Sequence, residues 1–125
     1  MKTKLSEILV IDKIIKEIVE KNSDIDLKTK FNLLGVLKGI ENYIVNFELI
    51  RAEKIKEYGK ENSETGEIIV EKDTEEYKKF ISEMEELIQA EIEISDSYKI
   101  PISDLEKLNL SATVLTSLYP IIKPE

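Results

Sequence analysis

Leu27–Tyr58 reads LKTKFNLLGVLKGIENYIVNFELIRAEKIKEY, and this run decides the fold. Its apolar residues recur at three- and four-residue steps through Leu33, Leu37, Ile40, Ile44 and Phe47, and on through Arg51 to Ile55 and Tyr58. That spacing predicts a helix over about 27–58, with Asp26 placed as its N-cap and Tyr58-Gly59 as its stop. At 1.5 Å per residue such a helix is about 48 Å long. A compact domain of 125 residues has a radius of gyration of only about 14 Å. The helix must therefore bend, or project and be covered by a partner. Gly35 and Gly39, four apart, each cost about 1 kcal/mol against Ala. They mark a close crossing, a kink or a tolerated weakness. A second row, Tyr43, Phe47 and Ile50, is offset from the first seam. It makes this either the central core helix, touched on two sides, or one with a dimer or partner face rimmed by Arg51 and Lys54.

On the N-terminal side, Ile8, Ile11, Ile15 and Ile18 form an apolar stripe, widened by Leu9, Ile14 and Val19, that predicts an amphipathic helix over about 5–21. It ends in the turn formers Lys21-Asn22-Ser23-Asp24. On the C-terminal side comes Glu61–Val70, ENSETGEIIV, a turn at Thr65-Gly66 followed by a β-branched run. It predicts a strand over about 67–71, which needs a partner in this chain or another.

Asp73-Thr74-Glu75-Glu76 has capping-box spacing with Asp73 as the cap, opening a helix over about 74–89 with the stripe Tyr77, Ile81, Met84 and Ile88. Alternation over about 91–95 and an edge segment over about 98–102, marked by Pro101, supply partners for the first strand in a two- or three-stranded antiparallel sheet. Ser103-Asp104-Leu105-Glu106 is a second capping box, and Ser111 caps another short helix that stops before Pro120. The tail from Tyr119 is apolar enough to dock. The expectation is α+β, mainly α: three principal helices, a small sheet and short C-terminal helices in a single domain over 1–125.

Composition restricts the chemistry. Apolar residues make up 42% and charged residues 35%, the balance of a globular chain. There is no cysteine and no histidine, so disulfides, thiolate metal sites, His-ligated zinc and Ser–His–Asp or Cys–His catalysis cannot be built from this chain. An enzyme here would rely on carboxylates, Lys or Tyr. Glu83, Glu86 and Glu93 are the residues weighed for a divalent cation or an acid/base pair, without an EF-hand loop to support them. No cofactor is expected. The N-terminus has basic residues and an apolar patch but is broken by Glu7 and Asp12, so neither a signal peptide nor a membrane span is expected.

The formal net charge is −8. Residues 59–99 carry thirteen acidic and five basic side chains, so this segment holds an excess as large as that of the whole chain. With no basic patch and no Gly-rich phosphate loop, nucleic-acid binding is not expected. Glu75, Glu76, Glu83, Glu85 and Glu86 then have two readings. They form a surface for a basic protein partner, or a solvated helix face that confers solubility.

An acidic helix, an extended segment and then IPISDLEKLNLSATVLTSLYPII resembles the ending of small proteins encoded by phages and prophages of low-GC Gram-positive bacteria. Tyr58, Gly66, Glu75–Glu91 and Leu105–Ile122 carry the resemblance, over about residues 45–122. It implies a phage accessory protein in the bacterial cytoplasm and assigns no functional residue. The expected function is non-enzymatic protein binding, as an acidic inhibitor or modulator of a host defence protein. The alternative is a virion assembly or scaffolding factor that self-associates through the long helix.

Overall fold

The computed structural model describes residues 2–22 and 24–123. Its elements are β1 (Lys2–Lys4), α1 (Leu5–Lys21), α2 (Leu27–Tyr58), β2 (Lys60–Glu61), β3 (Ile68–Ile69), α3 (Glu75–Ile88), β4 (Glu91–Glu93), α4 (Ile102–Glu106) and α5 (Ala112–Ser117). Single 3-10 turns lie at Asp96–Tyr98 and Tyr119–Ile121. The class is α+β, mainly α, as the periodicity predicts. Ser23 of the expected turn, Pro124 and Glu125 of the tail, and Met1 lie outside the described residues.

The core is built on α1. Leu5, Ile8, Ile11, Ile15 and Ile18 are buried on one stripe, facing Leu33, Val36 and Ile40 of α2. Ile94, Ile100, Leu105, Leu118 and Ile121 close the other side, so the C-terminal third wraps the helix pair. Each such side chain contributes about 1.5–3 kcal/mol of burial. Asp26 caps α2: its carboxylate accepts the Thr29 N–H at 3.2 Å and the Thr29 hydroxyl at 2.8 Å. The hydroxyl bond satisfies a Thr29 side chain that is wholly buried.

Buried side chains on α2 stop at Ile40. Tyr43, Ile44 and Phe47 still pack against the core in part, and beyond them the helix runs past it, with α3 and the β2–β3 hairpin leaning on it. The length anomaly is thus resolved by projection, and the cover is in part the chain's own.

The strands differ from expectation in their partners. Ile68–Ile69 does not join residues 91–95; it pairs antiparallel with Lys60–Glu61 in a local hairpin, Lys60 opposite Ile69. Asn62 N–H donates to Glu67 O and Gly66 N–H to Asn62 O, both at 2.7 Å, and Gly66 takes φ 73°, which a glycine adopts without strain. ENSETGEIIV therefore supplies most of its own pairing, within the chain. Glu91–Glu93 pairs instead with Lys2–Lys4 at the other end of the chain, Thr3 opposite Ile92. Residues 98–102 form no strand in either pair. Ile100 makes one parallel bridge to Ile122, donating to Ile121 O at 2.8 Å and accepting from Lys123 N–H at 2.7 Å.

Two caps are also displaced. Asp73 takes a left-handed φ of 66°, and Thr74 caps α3, accepting the Tyr77 N–H at 3.1 Å. Helix α4 begins at Ile102 after Pro101 and not behind Ser103. Ser111 caps α5 as its spacing predicts, accepting from Val114 N–H at 3.2 Å.

Candidate interaction surfaces

Helix α3 carries the acidic residues on different flanks, because 3.6 residues per turn spreads five glutamates over a twelve-residue stretch. Glu75, Glu76, Glu85 and Glu86 are exposed, Glu75 sharing a 3.5 Å ion pair with Lys78. Glu83 is not part of that free face. The Tyr58 hydroxyl donates to its Oε1 at 2.8 Å, and Lys54 Nζ stands 3.2 Å from Oε2. The Lys54 contact lies outside hydrogen-bond geometry, so charge alone serves that buried oxygen. Lys54 also meets Glu57 at 3.0 Å and lies 5.8 Å from the Tyr58 ring centroid.

This cluster staples α3 to the projecting half of α2. The Tyr58 hydroxyl, with Lys54 beside it, holds the Glu83 carboxyl below the usual carboxylate range. Glu57 and then Glu83 push the Lys54 ammonium up, and the bond to Glu83 together with desolvation raises the Tyr58 phenol. Of the three glutamates weighed for a metal, Glu83 is thus engaged and Glu93 sits on β4 opposite Lys2. Among the described residues no group of three acidic side chains is gathered for a metal ion.

The Tyr43, Phe47 and Ile50 row is divided. Tyr43 and Phe47 are half-buried and pack against the chain's own core, while Ile50 is 37% exposed. The core-helix reading fits Tyr43 and Phe47. The open apolar surface lies elsewhere, on the side of α2 opposite Leu33, Val36 and Ile40. There Leu27 is 84% exposed, Phe31 76% and Leu49 64%, with Leu34 and Val45 also exposed between them. Their spacing is legible in the sequence as a further stripe, distinct from the Tyr43, Phe47 and Ile50 row. Beside the stripe, between α1 and α2, runs a groove of about 430 Å³ whose lining includes Lys16 of α1 and Leu34, Lys38, Glu41, Ile44 and Val45 of α2.

Comparison with protein-family models, curated proteins and solved structures finds no match. The surfaces must therefore be interpreted from their own chemistry. No helix among the described residues is long and apolar enough to cross a membrane.

One polar contact was not foreseen. Asp104 is buried at the start of α4, where it accepts from Asn32 Nδ2 of α2 at 2.8 Å and lies 3.9 Å from Lys107. A polar pair separated by 72 positions has no local signal, and this one ties the C-terminal wrap to the long helix.

Proposed function

We propose that the protein is a non-enzymatic binding protein that works through protein–protein contact along the outer face of α2. The observation that carries this reading is the exposure of Leu27, Phe31, Leu34, Val45 and Leu49 on the side of the helix turned away from the core. Two exposed apolar clusters on one helix face, Leu27–Leu34 and Val45–Leu49, are costly in water and mark an interaction surface more often than scattered single residues do. The helix-in-groove mode of recognition uses just such anchors at three- and four-residue spacing. The phage or prophage setting and the bacterial cytoplasm belong to the same proposal, and rest on the resemblance of residues 45–122.

The second reading places the contact on the exposed glutamates of α3. It is favoured by Glu75, Glu76, Glu85 and Glu86 standing free of the Glu83 staple. It suits a basic host protein, as for an inhibitor of host defence.

Affinity capture from host extract with the tagged full chain tests the two. Phe31→Asp with Leu49→Asp should abolish capture of a stoichiometric partner, while Glu75→Lys, Glu85→Lys and Glu86→Lys together leave it intact. The opposite pattern moves the site to α3. Capture that survives both sets of changes overturns both readings.

A further inference from the structure

The charge order along α2 identifies what fits its outer face. Steps of four and three carry the stripe from Leu27 through Phe31 and Leu34 to Lys38 and Glu41, then on through Val45 to Leu49 and Ala52. This is the seam period of paired helices. Lys28 and Lys30 flank its first end, and Glu48 and Glu53 its second. Lys28 and Lys30 stand against the helix dipole, which favours acidic groups in the first turn. The first turn of α2 carries no acidic side chain. Among the described residues none of these four charges forms an ion pair within the chain.

We propose that the outer face of α2 docks a second copy of this chain, the two α2 helices antiparallel about a two-fold axis between Lys38 and Glu41. This rests on the reading of that face as the binding surface. The axis sets Lys38 against the partner's Glu41 and Leu34 against the partner's Val45. Further out, Phe31 meets the ridge of the partner's Glu48 and Leu49, and Leu27 meets the partner's Ala52. A two-fold lying in the interface puts like flank against like flank. Lys30 then faces the partner's Glu48, and Lys28 the partner's Glu53, so each of these four charges finds an opposite charge. A parallel arrangement would align lysines with lysines and glutamates with glutamates. The seam from Leu27 to Ala52 is about 38 Å long. The groove beside it, lined in part by Leu34, Lys38, Glu41 and Val45, lies level with the axis and gives each copy a recess at the centre of the contact. There the intrachain Lys38–Glu41 pair, 3.0 Å long, can exchange partners.

Light scattering on the purified full chain over a concentration series is the first test. The expected mass is twice 14.4 kDa, falling to a single chain for Phe31→Asp with Leu49→Asp while the helical circular dichroism is kept. Lys30→Glu should weaken the dimer, and Lys30→Glu with Glu48→Lys should restore it, which a different partner protein could not do. Because the chain lacks cysteine, register can be read directly. Leu34→Cys mixed with Val45→Cys should give the mixed disulfide, since bonding needs Cα atoms within about 7 Å. Self-crosslinking of either variant alone overturns the antiparallel arrangement. A monomer at every concentration overturns the second copy as occupant. If such a monomer still captures another protein and loses it on Phe31→Asp, the α2 face stands as a binding surface and only self-pairing falls.

Discussion

Gly35→Ala and Gly39→Ala, the same change one helical turn apart, are predicted to differ in their effect on stability, the first stabilising and the second not. In a helix interior each replacement gains about 1 kcal/mol from the stiffer backbone. At Gly35 nothing lies within 4 Å of an added Cβ, so that gain is kept. At Gly39 the new atom would fall 2.6 Å from Tyr98 Cβ and 2.8 Å from its Cδ1. Ordinary carbon contacts sit at about 3.5–4.0 Å, so Tyr98 and the turn that carries it must retreat. Tyr98 is 42% exposed, which leaves more than half of it packed and liable to loss. Overpacking of this kind costs about 1–3 kcal/mol, so Gly39→Ala comes out near neutral to about 2 kcal/mol destabilised. Urea unfolding followed at 222 nm, with an m-value of about 2 kcal/mol/M, would separate the two midpoints by roughly 0.5–1.5 M. Protein concentration must be held fixed, because Gly35 borders the outer face of α2 and association shifts apparent stability. Equal stabilisation of the two variants would refute the close approach of Tyr98.

Three further outcomes follow from the polar contacts. Asn32→Ala leaves the buried Asp104 carboxylate without its 2.8 Å donor and should cost about 1–3 kcal/mol, read as a fall in Tm of several degrees; an unchanged Tm would mean that water replaces the amide. Glu83 has a folded-state pKa below its unfolded value. Its contribution is therefore present above the unfolded pKa of about 4.3 and is lost as pH falls through the depressed folded value. Tyr58→Phe should flatten that acid-side loss in a stability–pH profile, and an identical slope would remove the staple from the account. Tyr58 itself is shifted upward, so its contribution holds below about pH 10 and is lost as pH rises through the higher folded pKa; the same Phe variant should lack that alkaline limb.

What was legible in the sequence was what local physics decides. The bounds of α1 and α2 follow from a 3.6-residue apolar period, crossed on α2 by Arg51, with a cap at Asp26 and a glycine at the far end. Strand partners were not legible, because two- and three-residue strands carry almost no pattern of their own. Lys2–Lys4 has nothing that marks it as the mate of Glu91–Glu93. The cap at Thr74 was missed for a similar reason: Asp73 has the better capping side chain in isolation, but its backbone is used to finish the preceding turn. Among the surface residues, charge count alone could not separate Glu83, aimed at Tyr58, from Glu85 and Glu86. The Leu27, Phe31, Leu34 stripe was present as a period, yet which of two apolar faces is buried depends on where α1 and the C-terminal wrap settle.

The pairing of Thr3 with Ile92 also sets an order of events during synthesis. At about 5–20 residues per second, the two strands leave the ribosome roughly 4–18 s apart. Helix α2 follows α1 far sooner, so Ile11 and Ile15 can meet Leu33 and Val36 while Ile100, Leu118 and Ile121 are still unmade. In the last third or so of that interval both helices are complete, with an apolar stripe outside and an unfinished core inside, and proteolysis of stalled chains should find the helices protected before residue 93 has emerged. Were the outer stripe to pair at that stage, two chains on neighbouring ribosomes would meet before either had finished its own core.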